Sequence, residues 1–317
     1  MTRIAILDDY QGIALTMADW DSLPDECRVE VFHDHVAHPA VLADRLQDFE
    51  IVCIMRERTP FRREILSRLP NLKLLVTTGM RNASVDVVAA TTQGVIVCGT
   101  AGSAHTTPEL TWGLILALQR HIPAEDRAMK AGAWQTTIGR GLAGTTLGLL
   151  GLGRLGSEVA RIGQAFRMNL IAWSQNLTAA QAAEHGVTRV EKDDLFRQSD
   201  VLSIHTLLSA RTRGLVGARE FGLMKPSAVL VNTSRGPIVD EAALIDALRN
   251  QTIAAAGLDV YAAEPLPRSH PLRGLDNAVL TPHLGYVTYD TFSVMYLQTL
   301  ECVQAWLAGD PVRVISS

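Results

Sequence analysis

Thr145–Gln175 of this 317-residue chain reads TTLGLLGLGRLGSEVARIGQAFRMNLIAWSQ, and its reading decides the fold. Leu147–Leu150 is an apolar run short enough for a buried strand. Gly151, Gly153 and Gly156 follow in G-x-G-x-x-G spacing. Leu155, Val159, Ile162 and Phe166 then recur at helical period, and Leu170, Ile171 and Trp173 begin a second strand. In such a unit the first glycine allows a sharp turn, the second lets backbone N–H groups approach a pyrophosphate, and the third lets helix and strand pack closely. The helix N-terminus faces the phosphates with partial positive charge. Glycine turns also join elements that bind nothing, so the flanking strand–helix–strand pattern is what favours a dinucleotide.

Outward from this core the chain alternates strand and helix. Before it, Ile4–Leu7, Val29–Phe32, Ile51–Met55, Leu72–Val76 and Val95–Cys98 read as strands, with helical stretches at Val41–Gln47 and Arg63–Leu69. Thr107–His121 is a strong helix, with Pro108 and Glu109 in its first turn and Leu110, Leu114 and Leu118 along one stripe. After the core, Val201–Ile204, Val229–Val231 and Gly257–Val260 read as buried strands, separated by helices at Ala218–Lys225 and Asp240–Asn250. A last helix, Thr291–Leu307, would pack back on the first domain. The alternation predicts two doubly wound α/β domains with parallel sheets. The first is discontinuous, 1–102 with 286–317, and the second is 103–285.

Composition is that of an ordinary globular protein, 47% hydrophobic and 20% charged, with a formal net charge of −4 that gives no reason to expect nucleic acid. The first strand leaves no room for a signal peptide and no apolar run is long enough to span a membrane, so the cytoplasm is the expected location. Cys27, Cys53, Cys98 and Cys302 form no C-x-x-C pair. Cys53 and Cys98 lie in strand-like runs and read as buried structural thiols, and no metal site is expected.

Three polar residues stand at strand ends in the second domain. Arg235 follows VLVNTS, Glu264 follows GLDVYAA and His283 follows VLTP. Carboxyl ends of strands in open α/β sheets face the ligand crevice, so these positions can converge on a bound nicotinamide. Arg can clamp a carboxylate and polarise an adjacent carbonyl, His can protonate a developing alkoxide, and Glu can hold the His tautomer. Singly, each has a plainer reading: a surface ion pair, a loop cap before Pro265, a structural imidazole.

Taken together, GLGRLG at 151–156, VLVNTSRGPIVDEAAL at 229–244, AAGLDVYAAEP at 255–265 and LTPHLG at 280–285 resemble the D-isomer-specific 2-hydroxyacid dehydrogenase family, including its glyoxylate/hydroxypyruvate reductase-like and phosphoglycerate dehydrogenase-like branches. The resemblance covers nearly the whole chain. It implies a Rossmann cofactor domain inserted in a flavodoxin-like substrate domain, with the active site between them. It implies Arg235 for substrate carboxylate and carbonyl, Glu264 as partner of the His, and His283 as general acid/base. For the cofactor it implies Gly151, Gly153, Arg154, Leu155, Gly156, His205, Thr206, Thr233, Ser234 and Gly285. Asp259 would contact the nicotinamide carboxamide, or else cap a strand. A homodimer through the cofactor domains is also implied, with Thr107–Trp134 as contact unless that apolar face is internal core.

The family's substrate loop maps to TTGMRNASVD at 77–86, making Thr78, Gly79, Met80 and Arg81 substrate-binding candidates. Arg81 stands where a small glycine is common, and reads equally as a pocket cation or a solvent-facing side chain. Tyr286 in GYVT departs similarly, either reshaping the pocket or packing elsewhere. A formate-type enzyme is disfavoured by Glu at 264. The second strand of the dinucleotide unit ends Trp173-Ser174-Gln175-Asn176, without the acid that normally binds the adenosine ribose and repels a 2′-phosphate. Ser174, Gln175 and Asn176 therefore leave NAD and NADP both open. The expected activity is hydride transfer to C2 of a 2-oxo acid. A dinucleotide-sensing, corepressor-like binding protein is the alternative.

Overall fold

The computed structural model describes residues 1–102 and 105–316, and the chain divides into two units, Met1–Ser103 with Thr288–Ser317 and Ala104–Val287. The expected boundary at residue 103 lies outside the described residues.

In the first unit β1 (Thr2–Ile6), β2 (Cys27–Val31), β3 (Ile51–Ile54), β4 (Leu74–Thr77) and β5 (Ile96–Gly99) form one parallel sheet in the order β2-β1-β3-β4-β5. That is the flavodoxin-like order. Ala5, Val52, Ile54, Leu75 and Val97 bury one face against Leu42, Phe49, Phe61 and Ile65. By the two-residue period of a strand, Cys53, Val76 and Cys98 face the other way. The helix Tyr289–Leu307 belongs to this unit and contributes buried Phe292, Met295, Tyr296, Thr299, Cys302 and Val303. Cys302 Sγ reaches to 3.7 Å from the carbonyl oxygen of Gly99.

In the second unit β6 (Thr146–Leu150), β7 (Asn169–Trp173), β8 (Thr188–Arg189), β9 (Val201–Ile204), β10 (Val229–Asn232), β11 (Ala255–Leu258) and β12 (Ala278–Leu280) are all parallel, in the order β12-β11-β10-β9-β6-β7-β8. Read from β8, this is the 3-2-1-4-5-6 order of a Rossmann sheet with a seventh strand. Leu147, Leu149, Val201 and Val231 are fully buried, and each such side chain stabilises by about 1.5–3 kcal/mol.

The helix Thr106–Gln119 is buried at Thr111, Trp112, Leu114, Ile115 and Leu118, more widely than the expected leucine stripe, so this face packs as internal core of the second unit. The strand expected at Gly257–Val260 is Ala255–Leu258. It stops where Asp259, whose side chain is needed elsewhere, donates its backbone N–H to Asn232 O at 3.0 Å. Among the described residues no helix is long and apolar enough to cross a membrane.

Candidate active site

The glycine turn forms as its spacing predicts. Gly151 has φ 103, a left-handed conformation open to glycine, and a Cβ on Gly156 would lie 2.3 Å from the Gly151 carbonyl oxygen. The helix Arg154–Ala165 therefore starts directly against the end of β6, with Gly153 as N-cap. A cleft of ≈ 500 Å³ opens there, lined by Gly151, Gly153, Ser174, Asn176, His205 and Thr206 among others. A helix N-terminus, a left-handed glycine and a cleft of this size fit a dinucleotide.

Not every expected cofactor residue reaches that cleft. Arg154 and Gln175 are exposed, Leu155 is half-buried in the first turn of the helix, and Gly156 is the packing contact just described. Thr233 and Ser234 follow β10, where Ser234 Oγ donates to Thr206 O at 2.6 Å. Leu177, Gln181 and His185 also line the cleft and were not anticipated. A signal for them existed, because Thr178-Ala-Ala-Gln181 is a capping box and starts the helix Ala179–Ala183. His205 Nε2 lies 2.8 Å from Ser203 Oγ, and burial pulls its imidazole down to about 4, so it is neutral at pH 7.

The catalytic candidates stand at the carboxyl ends of β10, β11 and β12. His283 Nδ1 is 2.6 Å from Glu264 Oε2. Glu264 is fixed in turn by Tyr261 N, which donates to its Oε1 at 2.9 Å. His283 adopts φ 55, uncommon for a residue with a side chain. Asp259 explains how that conformation is held. It is fully buried; its Oδ1 accepts from Thr281 Oγ1 at 2.6 Å and Leu284 N at 2.7 Å, and its Oδ2 accepts from Gly285 N at 2.9 Å. Its carbonyl accepts from His283 N at 2.9 Å. Burial raises the Asp259 carboxyl above the usual carboxylate range, with these bonds opposing the shift. Asp259 thus fastens the His283 loop, and Gly285 is part of that clamp.

Arg235 is half-buried in the turn after β10, where its Nη1 donates to Ser234 O at 2.7 Å. Asn232 shapes the turn: its Nδ2 donates to Arg235 O at 3.0 Å and its Oδ1 accepts from Ser234 N at 3.0 Å. The helix Thr106–Gln119 ties both loops, through Thr107 Oγ1 donating to Gly285 O at 2.9 Å and Thr111 Oγ1 lying 2.8 Å from Thr233 Oγ1. Tyr286 stands edge-on to His283, ring centroids 5.6 Å apart. One nitrogen of the imidazole is therefore held by a carboxylate, the arrangement of a general acid/base with fixed tautomer.

In the first unit the substrate-binding candidates follow β4. Thr78 is buried and its hydroxyl accepts from Arg56 N at 2.8 Å. Its backbone N–H donates to Ile54 O at 3.1 Å, and that of Gly79 donates to Thr100 Oγ1 at 3.0 Å. The backbone amides of both Thr78 and Gly79 are thus engaged within the unit. Met80 and Arg81 are exposed.

Comparison with known proteins follows the same lines. Residues 112–285 match the family profile described as D-isomer specific 2-hydroxyacid dehydrogenase, NAD binding domain. The chain is similar to the glyoxylate reductase of Aeropyrum pernix, 41% identical over 256 residues, which are 78% of this chain and 76% of that protein. It is 31% identical to the glycerate dehydrogenase of Methylorubrum extorquens over all of both chains. It spans about half the length of the D-3-phosphoglycerate dehydrogenase of Archaeoglobus fulgidus, with 37% identity. Among solved structures, phosphoglycerate oxidoreductase from Vibrio cholerae superposes with TM-score 0.92 and 37% identity, covering 98% of this chain and all of that one.

Proposed function

Since the chain belongs to the D-isomer-specific 2-hydroxyacid dehydrogenase family, an NAD-dependent oxidoreductase acting on 2-hydroxy acids, we propose that it reduces a small 2-oxo acid such as glyoxylate or hydroxypyruvate. The observation that carries the reading is the 2.6 Å pair between His283 Nδ1 and Glu264 Oε2. The Arg235 guanidinium binds the substrate carboxylate and polarises the neighbouring carbonyl. His283, its Nδ1 held by Glu264, gives a proton from Nε2 to the C2 oxygen as the alkoxide develops. Oxidation runs the same steps backwards, with His283 as base. When bound, the nicotinamide cofactor supplies the hydride for C2, and Gly151, Gly153, Ser174, Asn176, His205 and Thr206 are the residues that would hold it. Thr78, Gly79, Met80 and Arg81 are proposed to contact substrate, with the exposed pair contributing more than the engaged one. The missing acid at Ser174–Asn176 supports use of NADPH beside NADH.

Consumption of NADH and NADPH in parallel, over glyoxylate, hydroxypyruvate, pyruvate and bulkier 2-oxo acids, tests this. His283→Ala should lower kcat by on the order of 10²–10⁴. Undiminished turnover in that variant would sink the assignment. No observation favours the nucleotide-sensing alternative.

The protein is further proposed to be a cytoplasmic homodimer. The cysteines are free, as a reducing compartment requires. Ile122, Met129, Trp134 and Ile138 are exposed by 52%, 57%, 74% and 94%, an apolar run in one stretch of the second unit that supports burial by a second copy. Sedimentation at the mass of one chain would overturn the dimer.

A further inference from the structure

All four cysteines lie in the first unit, and Cys53, Cys98 and Cys302 gather at one place in it, outside every residue assigned to the reaction. Cys53, Val76 and Cys98 pair in register across β3, β4 and β5. Cys302 reaches that row from the terminal helix, its Sγ 3.7 Å from the carbonyl oxygen of Gly99, the residue after Cys98. The Cys98 and Cys302 thiols interact with each other, and both are fully buried.

The chain after the helix closes over this pair. Gly99 N donates to Arg313 O at 3.0 Å, Ile315 N donates to Val97 O at 2.8 Å, and Val312 O lies 3.9 Å from Cys302 Sγ. Arg313 Nη2 donates to Gln298 O at 3.0 Å and Glu301 Oε2 at 2.7 Å. Its Nε is buried without a hydrogen-bond partner among the described residues, and the guanidinium interacts with Cys302. A cation beside a thiol favours the thiolate, the nucleophilic form. Interaction with Cys98, with Arg313 helping and burial and Glu301 opposing, brings Cys302 down to about 7. Cys98 is pushed up, first by the same interaction, and Cys53 is pushed up by burial. The pair therefore has one partner disposed to attack and one that stays protonated beside it.

We propose that Cys98 and Cys302 are a hydroperoxide-sensitive dithiol that closes into a disulfide within the first unit. The Cys302 thiolate attacks the O–O bond, giving Cys302 sulfenic acid and releasing the other oxygen as water or alcohol. The Cys98 thiol then attacks the sulfenic sulfur, the S–S bond forms, and a second water leaves with the Cys98 proton. Two thiols lose two electrons and one hydroperoxide gains them. Opening of the short segment 312–316, held to β5 by two backbone hydrogen bonds, admits the oxidant. The bond would pin the end of β5 two residues before Thr100, the hydroxyl that receives Gly79 N.

The test treats the folded, reduced protein with hydrogen peroxide and maps its peptides by mass spectrometry without reduction. The expected product is a linked Cys98–Cys302 peptide pair, reversed by dithiothreitol. Cys98→Ala should stop at a dimedone-reactive Cys302, and Arg313→Gln should slow oxidation at pH 7 by on the order of tenfold. Linkage through Cys27 or Cys53 instead overturns the proposal. So does survival of all thiols in the folded wild type under peroxide that oxidises the urea-unfolded chain.

Discussion

Asp259, just past β11 in the second unit, and Asp8, just past β1 in the first, are both buried carboxylates beyond the end of a parallel strand. Asp259 spends its bonds on the chain that bears His283, accepting from Thr281, Leu284 and Gly285. Asp8 closes a local network: Oδ2 accepts from Thr59 Oγ1 at 2.6 Å, Oδ1 accepts from Tyr10 OH at 3.2 Å, and His35 Nδ1 lies 3.1 Å from Oδ1. The next residue, Asp9, caps the short helix Ala14–Met17 through Ile13 N and Ala14 N. One buried carboxylate therefore orients a chemical group, and the other completes its own fold. Equal burial does not mean equal role; the partners decide it.

The sharpest way to press this comparison is Glu264→Gln. The amide would present NH₂ to His283 Nδ1 and select the wrong tautomer, so kcat should fall by on the order of 10²-fold or more. The half-exposed side chain should leave thermal stability nearly unchanged; an active variant would remove the pair from the mechanism. Asp259→Asn comes next. Its NH₂ would oppose donors that are already N–H or O–H, costing about 1–3 kcal/mol and loosening the His283 loop enough to reduce kcat roughly tenfold. Asp8→Asn should cost similar stability by urea unfolding while leaving kcat within about threefold. Should Asp8→Asn cripple turnover as Asp259→Asn does, the distinction fails.

A third effect is read in pH. The folded His205 value of about 4 lies below the unfolded value near 6.5. The unfolded chain therefore takes up the proton first, and this contribution is complete above about pH 6.5 and lost as pH falls towards 4. Partial exposure of the ring tempers the loss to about 1–2 kcal/mol. Urea unfolding at pH 7 and 4.5 should show that difference in the wild type and not in His205→Gln. The smallest effect belongs to Arg81→Ala, where loss of one exposed cation among the proposed substrate contacts should raise KM for the 2-oxo acid by about two- to fivefold. An unchanged KM would remove Arg81 from substrate recognition.

The apolar strands and the glycine turn were legible because period and spacing are local. So was the placement of Arg235, Glu264 and His283 after strand ends, since each stands next to turn residues. Several short elements were not read, two of them for plain physical reasons: β8 has two residues, too few to show a period, and the helix Ile122–Lys130 buries none of its residues, so it carries no apolar stripe towards a core. The support of the site was hidden for another reason. Thr111 meets Thr233 across 122 positions and Thr107 meets Gly285 across 178, contacts that no local pattern announces. Asp259 could be seen as polar at a strand end, but its task depends on three donors more than twenty residues away.

The clamp made by Asp259 has a consequence for how such an enzyme can be altered. The proton-transfer pair is secured by Asp259, Thr281, Thr107 and Tyr261, none of which the proposed mechanism asks to touch the substrate. Side chains proposed to meet it can then vary without disturbing the machinery behind them. A library that holds those four positions constant and diversifies 80, 81 and 286 would search new acids while inheriting the same chemistry, a division of labour that lets one scaffold acquire many specificities.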